Sequence, residues 1–340
     1  MPRNQSTSNS EITILRELLA HEDGYFSGSA LADELKMSRV SVWQHMEKLR
    51  EQGFEFEAVR AKGYRLVKQP AGLNALLIEA RLAPQKPAAG FLCFETIDST
   101  NDEAARQLAA GRSAPFVVVS RQQTRGRGRF GRVWHSEDNG NLYLSFAFRP
   151  QLPPERMQTF TLWMGVNICD FVASYAKISP GLKWPNDILF NERKAGGMLT
   201  EARIDSDQIR DLVFGLGLNI NSEASNFPPD VAKRAVSLSA HAKTPLDLNK
   251  LAAAVVGRVL DAYNQFVDGK YRDTFADLWN RFDHLRGKPV SLQHGSQQIH
   301  GTALGIDEEG SLIVRTDKGK TERFRAGEVT MSKKPADQKT

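Results

Sequence analysis

Residues 126–132, with the sequence GRGRFGR, are the stretch of this chain whose residue types most directly suggest chemistry. Glycine lets a backbone turn tightly and approach a ligand closely. Arginine carries a permanent charge and a planar set of donors that matches carboxylate and phosphate oxygens. A plain surface loop does not need glycine and arginine in alternation. The alternation therefore predicts a mobile loop that closes over an anionic ligand.

The same stretch also fits the spacing of a dinucleotide-binding fingerprint, with glycines at Gly126, Gly128 and Gly131. That fingerprint requires a helix directly after the glycines and an acidic residue about 20 positions later. Here a strand-like segment, residues 142–148, follows, and no acid occurs at positions 149–151. The sequence therefore disfavours a nicotinamide or flavin site.

Further polar or glycine-rich clusters lie at the ends of predicted strands, where ligand sites of α/β proteins usually form. They are residues 98–101 (DSTN), Gln123, residues 183–187 (KWPND), residues 194–197 (KAGG) and residues 215–219 (GLGLN). The start of a helix after Asp98 can hold a small polar or anionic group. Plain helix capping by Ser99 or Thr100 explains that motif equally well.

The other clusters carry their own expectations. Pro185 should fix the backbone and hold Asn186 and Asp187 in one orientation. Lys194 begins a predicted strand and is therefore anchored on rigid structure. Alternate glycines in the strand around Gly215 and Gly217 indicate that a ligand or another backbone approaches closely.

The chain lacks the motifs of several common enzyme classes. It contains no Gly-x-Ser-x-Gly elbow, no Walker A loop and no paired-carboxylate motif. The clusters supply cations, amides and one or two acids, a set that suits catalysis by charge neutralisation. Activation of a carboxylate by ATP fits this set, because arginines, a lysine and Mg²⁺ would screen two anions that must approach each other.

Hydrophobic periodicity predicts a compact α/β region around these motifs. Its predicted strands are residues 91–97, 116–122, 142–148, 188–190, 198–204 and 212–220, and its predicted helices are residues 101–110, 160–176, 248–267 and 273–284.

The N-terminal segment has the pattern of a winged helix-turn-helix. Helices are predicted at residues 11–21, 30–36 and 39–51, with Ser38 as the N-cap of the last, and residues 54–59 and 63–66 read as a hairpin. The candidates for DNA contact are Arg39, Ser41, Gln44 and His45 on the third helix and Arg60 and Lys62 in the hairpin turn. Residues 1–70 carry ten basic and ten acidic side chains, so any contact with DNA depends on local placement. A protein–protein module remains the alternative, although the basic turn favours DNA.

Closely spaced short strands after residue 287 predict a small β-barrel. The predicted domains are therefore residues 1–68, a central unit of residues 69–286 and a C-terminal unit of residues 287–332, followed by a disordered tail, residues 333–340.

Composition adds few constraints. The 340 residues are 41% hydrophobic and 25% charged with a net charge of +5, ordinary values for a globular protein. Cys93 and Cys169 lie in apolar contexts and predict buried thiols in a reducing compartment. No metal-ligand spacing, signal peptide or membrane-length apolar run occurs, so we expect a cytoplasmic protein without a dedicated metal site.

Taken together and in this order, the motifs at residues 98–101, 123–129, 183–187, 194–197 and 215–219 resemble those of biotin–protein ligases. The winged helix resembles the bifunctional members that also repress biotin-synthesis genes. The resemblance extends from about Ile12 to Met331. It implies a central mixed-sheet α+β catalytic domain like those of class II synthetases and an SH3-like C-terminal barrel.

The resemblance implies two half-reactions, in which biotin and MgATP form biotinyl-5′-adenylate and a carrier lysine then takes the biotinyl group. The catalytic residues would be Lys194, Arg129 and Arg127. The implied biotin-binding set is Ser99, Thr100, Asn101, Gln123, Arg127, Gly128, Arg129, Lys194, Gly197, Gly215 and Gly217. The implied ATP and phosphate set is Arg129, Arg132, Lys183, Asn186, Asp187 and Asn219, with Mg²⁺ arriving on ATP near Asn186 and Asp187.

Two positions depart from the family pattern. Phe130 takes a loop position that is basic in some relatives. Where some relatives supply a tryptophan for adenine, this chain offers Ala235 and Val236, so we expect weaker adenine packing or packing from another segment.

The implied partners are the biotin carboxyl carrier protein of acetyl-CoA carboxylase, operator DNA and, when adenylate is bound, a second copy of the chain. No membrane contact is expected. The alternatives are a ligase without a repressor role, a lipoate-attaching ligase of the same broad fold, and a regulator with a degenerate ligand domain.

Overall fold

The structure is a computed structural model that describes residues 9–22, 24–70, 72–82, 90–138, 140–242 and 244–331. The tail predicted to be disordered, residues 333–340, lies outside the described residues. Within them the chain forms a winged helix, a central seven-stranded sheet with helices on both faces, and a five-stranded C-terminal sheet.

The N-terminal unit confirms the predicted winged helix-turn-helix. Its elements are α1 (Asn9–Ala20), α2 (Gly28–Glu34), α3 (Arg39–Glu51), β1 (Glu55–Val59) and β2 (Gly63–Lys68). The Ser38 hydroxyl accepts the backbone N–H of Ser41 at 3.1 Å, which makes it the predicted N-cap of α3. Val42, Met46 and Leu49 recur at helical spacing and are buried, so one face of α3 closes the core.

Helix α4 (Ala75–Arg81) joins this unit to the rest of the chain. Its residues Leu76, Leu77 and Ala80 pack into the core of the winged helix, whereas Ala75 and Ile78 pack into the central core. The helix is held at its start by Asn249, whose side chain accepts the N–H of Asn74 at 2.7 Å and donates to the carbonyl of Gly72 at 3.0 Å.

The central sheet has the strand order β3-β4-β5-β9-β8-β7-β6. Its strands are β3 (Gly90–Ile97), β4 (Phe116–Gln123), β5 (Leu142–Phe148), β6 (Gly181–Lys183), β7 (Asp187–Phe190), β8 (Arg193–Asp205) and β9 (Gln208–Leu218). Only the pair β3–β4 is parallel, so the sheet is mixed as expected. Sequence patterns missed the three-residue β6, whereas β8 begins at Arg193, one residue before the predicted start at Lys194.

The helices of the central unit are α5 (Thr100–Ala109), α6 (Arg156–Ala176), α7 (Pro229–Ala232), α8 (Ser239–Ala242), α9 (Leu248–Val267) and α10 (Arg272–Phe282). Alternation along β4 sends Val117 and Val119 into the core shared with α6 and α9, and sends Phe116 and Val118 toward α5. The sheet is therefore covered on both faces, and the polar ends of its strands remain available for a site.

The C-terminal unit is all-β, as predicted, and forms one antiparallel sheet in the order β13-β12-β11-β10-β14. Its strands are β10 (Pro289–His294), β11 (Gln297–Ile306), β12 (Leu312–Thr316), β13 (Thr321–Phe324) and β14 (Glu328–Met331). The last strand, β14, has four residues and pairs with β10.

Both cysteines are unpaired thiols. Cys169 is buried in α6, and Cys93 is half-buried on β3, where burial raises the pKa of its thiol to about 11. The described residues contain no cluster of three or more His, Cys, Asp or Glu side chains that could hold a metal ion. No described helix is long and apolar enough to span a membrane.

Candidate active site and nucleic-acid interface

A cavity of about 780 Å³ opens beside the central sheet, and every residue predicted to contact biotin, ATP or phosphate lines it. These residues lie on the start of α5, the end of β4, the GRGRFGR loop, the β6–β7 connection, β8 and β9. Motifs that are far apart in the sequence therefore meet around one space.

One part of the cavity wall is a network of neutral hydrogen-bonding groups. The amide oxygen of Gln123 accepts the backbone N–H of Thr100 at 2.7 Å and its hydroxyl at 3.0 Å. The hydroxyl of Ser145, on β5, lies 2.8 Å from the Thr100 hydroxyl and 2.6 Å from the amide oxygen of Asn101. Such groups can hydrogen-bond an uncharged polar ring without a charged partner.

Ser99 has the capping role that the sequence left open. Its hydroxyl accepts the backbone N–H of Asp102 at 3.4 Å at the start of α5. Ser99 is also buried at the cavity wall. Capping and lining of the cavity thus occur together at this residue.

The glycines of β9 line the cavity and make room for the side chains of neighbouring segments. A Cβ on Gly215 would lie 2.2 Å from the amide oxygen of Asn101, and a Cβ on Gly217 would lie 2.5 Å from the indole of Trp134. A Cβ on Gly197 would lie 3.1 Å from the same indole. The indole Nε1 is buried and has no hydrogen-bond partner among the described residues.

Arg127 is neutralised by carboxylates in this structure. Its guanidinium contacts Glu201 at 2.9 Å and Asp102 at 2.6 Å, which ties the loop to β8 and α5. Glu201 also accepts the amide of Asn101 at 2.7 Å. Arg132 is paired as well, with Glu328 on β14.

Arg129 differs from its two neighbours because it forms no ion pair with the described residues. Its guanidinium makes two long polar contacts, to the amide oxygen of Asn186 at 3.5 Å and the carbonyl of Gly327 at 3.4 Å, and lies 4.8 Å from the ring centre of Phe130. Burial lowers the pKa of this guanidinium, an effect that the carboxylates of Asp187 and Glu328 oppose. A half-buried arginine with such weak contacts is available to an anionic ligand.

Two lysines converge on Asp187. The ammonium of Lys194 lies 2.6 Å from one carboxylate oxygen of Asp187, and that of Lys183 lies 3.8 Å from the other. Lys194 also lies 5.2 Å from the centre of a ring of Trp134. Burial lowers the pKa of Lys183. The negative charge of Asp187 opposes this shift, and the positive charge of the nearby Lys194 reinforces it.

The two predicted phosphate-facing asparagines use their amide nitrogens on backbone carbonyls. Asn186 donates to the carbonyl of Met198 at 2.7 Å. Asn219 donates to the carbonyls of Lys194 and Val236, both at 3.3 Å. Asn219 thereby joins β9 to the segments on either side, so its contacts are those of a residue that positions Lys194.

The segment after β9 supplies apolar groups to the cavity. Phe227, Val231 and Ala235 line it, whereas Val236 is buried beneath and bonds through its backbone N–H to the carbonyl of Lys194 at 2.9 Å. Sequence analysis did not single out Phe227, because it looked for an aromatic group only at the position of Ala235 and Val236.

The DNA-binding candidates fall into two groups. Arg39, Gln44, Arg60 and Lys62 are exposed, and the turn of the wing is made possible by a left-handed backbone at Ala61, with φ 65°. Ser41 is partly buried and its hydroxyl lies 2.9 Å from that of Ser38, within the cap. His45, also predicted to contact DNA, is largely buried, and its Nδ1 lies 2.8 Å from the carboxylate of Glu11.

Each of the three units of the chain matches a known protein family. Residues 93–219 match the biotin/lipoate A/B protein ligase family, residues 11–65 match an HTH domain, and residues 286–332 match the biotin protein ligase C-terminal domain. The bifunctional ligase/repressor BirA of Bacillus spizizenii is 34% identical over 305 residues, which cover 87% of this chain and 90% of that protein. The chain belongs to the biotin–protein ligase family.

Other relatives extend the likeness. The bifunctional ligase/repressor BirA of Escherichia coli is 29% identical over 92% of this chain and 95% of its own length. The biotin protein ligase of Aquifex aeolicus, solved in complex with biotin and ATP, superposes with a TM-score of 0.61 at 26% identity, over 72% of this chain and 98% of that one.

Three side chains that sequence analysis did not assign line the cavity or contact residues that line it. They are Trp134, Ser145 and Glu201, which contact Gly217, Thr100 and Arg127 respectively. Trp134 follows directly on the GRGRFGR loop, and this position was the one signal that could have identified it. Ser145 and Glu201 lie within strand patterns that carry no motif, so only the fold brings them to the site.

Proposed function

We propose that this biotin–protein ligase forms biotinyl-5′-adenylate from biotin and ATP and transfers the biotinyl group to a lysine of a biotin carboxyl carrier domain. The observation that carries the proposal is the division of one cavity into two chemically different parts. Gln123 and Thr100, the latter backed by Ser145, offer neutral hydrogen-bonding groups at the cavity wall, and Arg129 and Lys194 offer cations. An uncharged ureido ring joined to a carboxylate matches that division.

The cationic part explains how the first half-reaction would proceed. A carboxylate oxygen of biotin attacks the α-phosphorus of ATP, and the bond from that phosphorus to the bridging oxygen breaks to release pyrophosphate. Both partners are anions, so Lys194 and Arg129 would lower their repulsion and stabilise the charge that develops on the α-phosphate. Lys183, half-buried beside Asp187, would face the departing phosphates.

Mg²⁺ would arrive bound to ATP. Asp187 is the one carboxylate at the phosphate end that the structure surrounds with lysines, and no described cluster supplies a full ligand set. This fits a cation that keeps phosphate oxygens and waters as most of its ligands and takes one protein carboxylate. The metal would neutralise phosphate charge, while Lys194 moves its contact from Asp187 to the ligand.

The GRGRFGR loop would close over the adenylate in the second half-reaction. The lysine amine of the carrier, in its neutral form, attacks the carbonyl carbon of the mixed anhydride, and the carbon–oxygen bond to AMP breaks. Exclusion of water by the loop protects the anhydride until that amine arrives. Arg127 keeps its partners Glu201 and Asp102, so it would position the loop for Arg129.

Transfer can be measured directly. The protein is incubated with MgATP, an apo carrier domain and either biotin or lipoate, and the carrier is weighed by mass spectrometry. We expect a gain of one biotinyl group, lost with Arg129→Ala and kept with the exposed control Arg60→Ala. A gain with lipoate alone would establish a lipoate-attaching ligase, and no gain would leave a ligand-sensing regulator.

We further propose that the winged helix represses biotin-synthesis genes and that the adenylate-bound chain binds its operator as a homodimer. The support is the combination of the HTH match, the relatives named ligase/repressor, and the exposed basic wing. A two-fold dimer would place its recognition helices on matching half-sites. Sedimentation velocity at micromolar protein should show dimers with biotinyl-5′-adenylate, and unchanged sedimentation would contradict this.

A further inference from the structure

Helix α3 exposes two large apolar side chains that the ligase site does not use. Val40 is 66% exposed and Trp43 is 51% exposed. Trp43 makes no ring-stacking or cation–π contact with the described residues. Exposed tryptophan is uncommon outside binding surfaces, because the indole combines a large apolar area with one hydrogen-bond donor.

These side chains lie on the face of α3 that points away from the core. With 3.6 residues per turn, positions 40, 43 and 44 share one side of the helix, whereas Val42 and Met46 lie on the other and are buried. Val40, Trp43 and Gln44 are also near the helix N-terminus, which in a helix-turn-helix enters the major groove. We call these three residues the α3 face.

The charges around the α3 face favour duplex DNA as its occupant. Arg39 lies beside it and bonds to the hydroxyl of Ser29, which fixes the first turn of α3 against α2. Arg60 and Lys62 are exposed in the wing. The acidic Glu47 lies further along the helix and is paired with Arg50. Cations thus flank the apolar residues, as phosphates flank the base edges in a groove.

We propose that Val40 and Trp43 recognise thymine through its 5-methyl group, and that Gln44 pairs with adenine in the same half-site. In the major groove thymine alone among the bases presents a methyl group, and apolar side chains contact it. The carboxamide of Gln44 has one donor and one acceptor, which match the N6 and N7 atoms of adenine. The inference rests on the repressor role proposed above and adds the base class that it reads.

The test removes only the methyl groups. Duplexes enriched from a randomised library by the protein with biotinyl-5′-adenylate are resynthesised with deoxyuridine in place of each thymidine in turn. Affinity is measured by fluorescence anisotropy at one fixed salt concentration. We expect one or two positions in each half-site at which uridine weakens binding about 3- to 10-fold, since burial of one methyl contributes roughly 0.8 kcal/mol.

Variants assign that effect to residues. At the sensitive positions Trp43→Ala or Val40→Ala should bind thymine and uracil duplexes equally. The matched control Val67→Ala, exposed in the same domain on β2, should keep the wild-type preference. Lys62→Ala should weaken all duplexes uniformly and flatten the salt dependence. Unchanged melting temperatures would show that the variants are folded.

The outcomes separate this inference from the functions beneath it. Equal sensitivity to uracil in wild type, Trp43→Ala and Val40→Ala would overturn the methyl readout while leaving the repressor role in place. A library from which no sequence is enriched would overturn both. Loss of dimerisation or of carrier biotinylation in Trp43→Ala, with DNA affinity intact, would instead assign the α3 face to a protein partner and overturn the inference.

Discussion

Lys194 and Asp187 form an ion pair across the β7–β8 hairpin, with 2.6 Å between the ammonium and the carboxylate. The pair lies at the wall of the cavity, and Asp187 contacts a second lysine, Lys183. In this arrangement Asp187 holds Lys194 in place before an anion binds. The substrate carboxylate and phosphate must then compete with Asp187 for the same ammonium.

Replacement of Lys194 tests the role of that ammonium. We expect Lys194→Ala to slow adenylate formation about 10²- to 10³-fold, the usual cost of removing one preorganised charge-stabilising group. The measurement is pyrophosphate release in the presence of biotin and MgATP. Lys318→Ala, at an exposed lysine in the turn between β12 and β13, serves as the control. Equal rates in the two variants would remove Lys194 from the catalytic set.

A methyl group on Gly217 should disturb the cavity without unfolding the protein. In Gly217→Ala the new Cβ would lie 2.5 Å from the Trp134 indole, so the ring has to move out of its place over β9. We expect biotin affinity to fall at least tenfold, as measured by isothermal titration. Gly24→Ala, where the nearest atom is 3.9 Å away, should bind biotin normally.

Lys183 should make nucleotide binding sensitive to alkaline pH. Its pKa is lowered by burial in the free protein, and a phosphate beside it would favour the charged form. Binding then takes up a proton between the two pKa values, so ATP affinity falls as the pH rises through that range. Lys183→Arg stays charged and should lose this dependence. A wild-type affinity that stays constant over the whole alkaline range would contradict the assignment.

Phe227 is the expected support for adenine. It lines the cavity near Val231 and Ala235, where it can offer a ring face to the base. Stacking of a base on an aromatic side chain contributes about 1–3 kcal/mol, so Phe227→Ala should raise the KM for ATP about tenfold or more. The KM for biotin in the same variant is the internal control, and it should change little.

The clusters of polar and glycine residues were recognisable from the sequence because most of them border a strand with a clear apolar pattern. The expectation that Lys183, Asp187 and Lys194 meet at one ligand came from the resemblance of their motifs to those of biotin–protein ligases. Trp134 carried one signal, its place just after the GRGRFGR loop, whereas nothing in the sequence marked Glu201, because its contacts with Arg127 and Asn101 arise only in the folded structure. The largely buried position of His45 could not be predicted either, because only the packing of α1 on α3 brings Glu11 to its imidazole.

The two hydrogen bonds of Asn249 at the start of α4 should contribute to stability. Asn249→Ala would leave the N–H of Asn74 and the carbonyl of Gly72 without their partner. Such a loss costs about 1–3 kcal/mol when the groups are shielded from water. Urea denaturation measures the change in the free energy of unfolding, with the exposed neighbour Lys250→Ala as control. Indistinguishable denaturation midpoints for the two variants would show that water replaces the hydrogen bonds of Asn249.

Helix α4 limits how far the chain can be divided into independent modules. A cut after residue 68, where the winged helix ends by pattern, would remove Leu76, Leu77 and Ala80 from the core of that domain and expose them on the other fragment. An isolated N-terminal fragment therefore has to extend through Arg81 to keep its interior filled. Swapping the winged helix between relatives would succeed only when α4 travels with it and still fits Ile78 against its new neighbours.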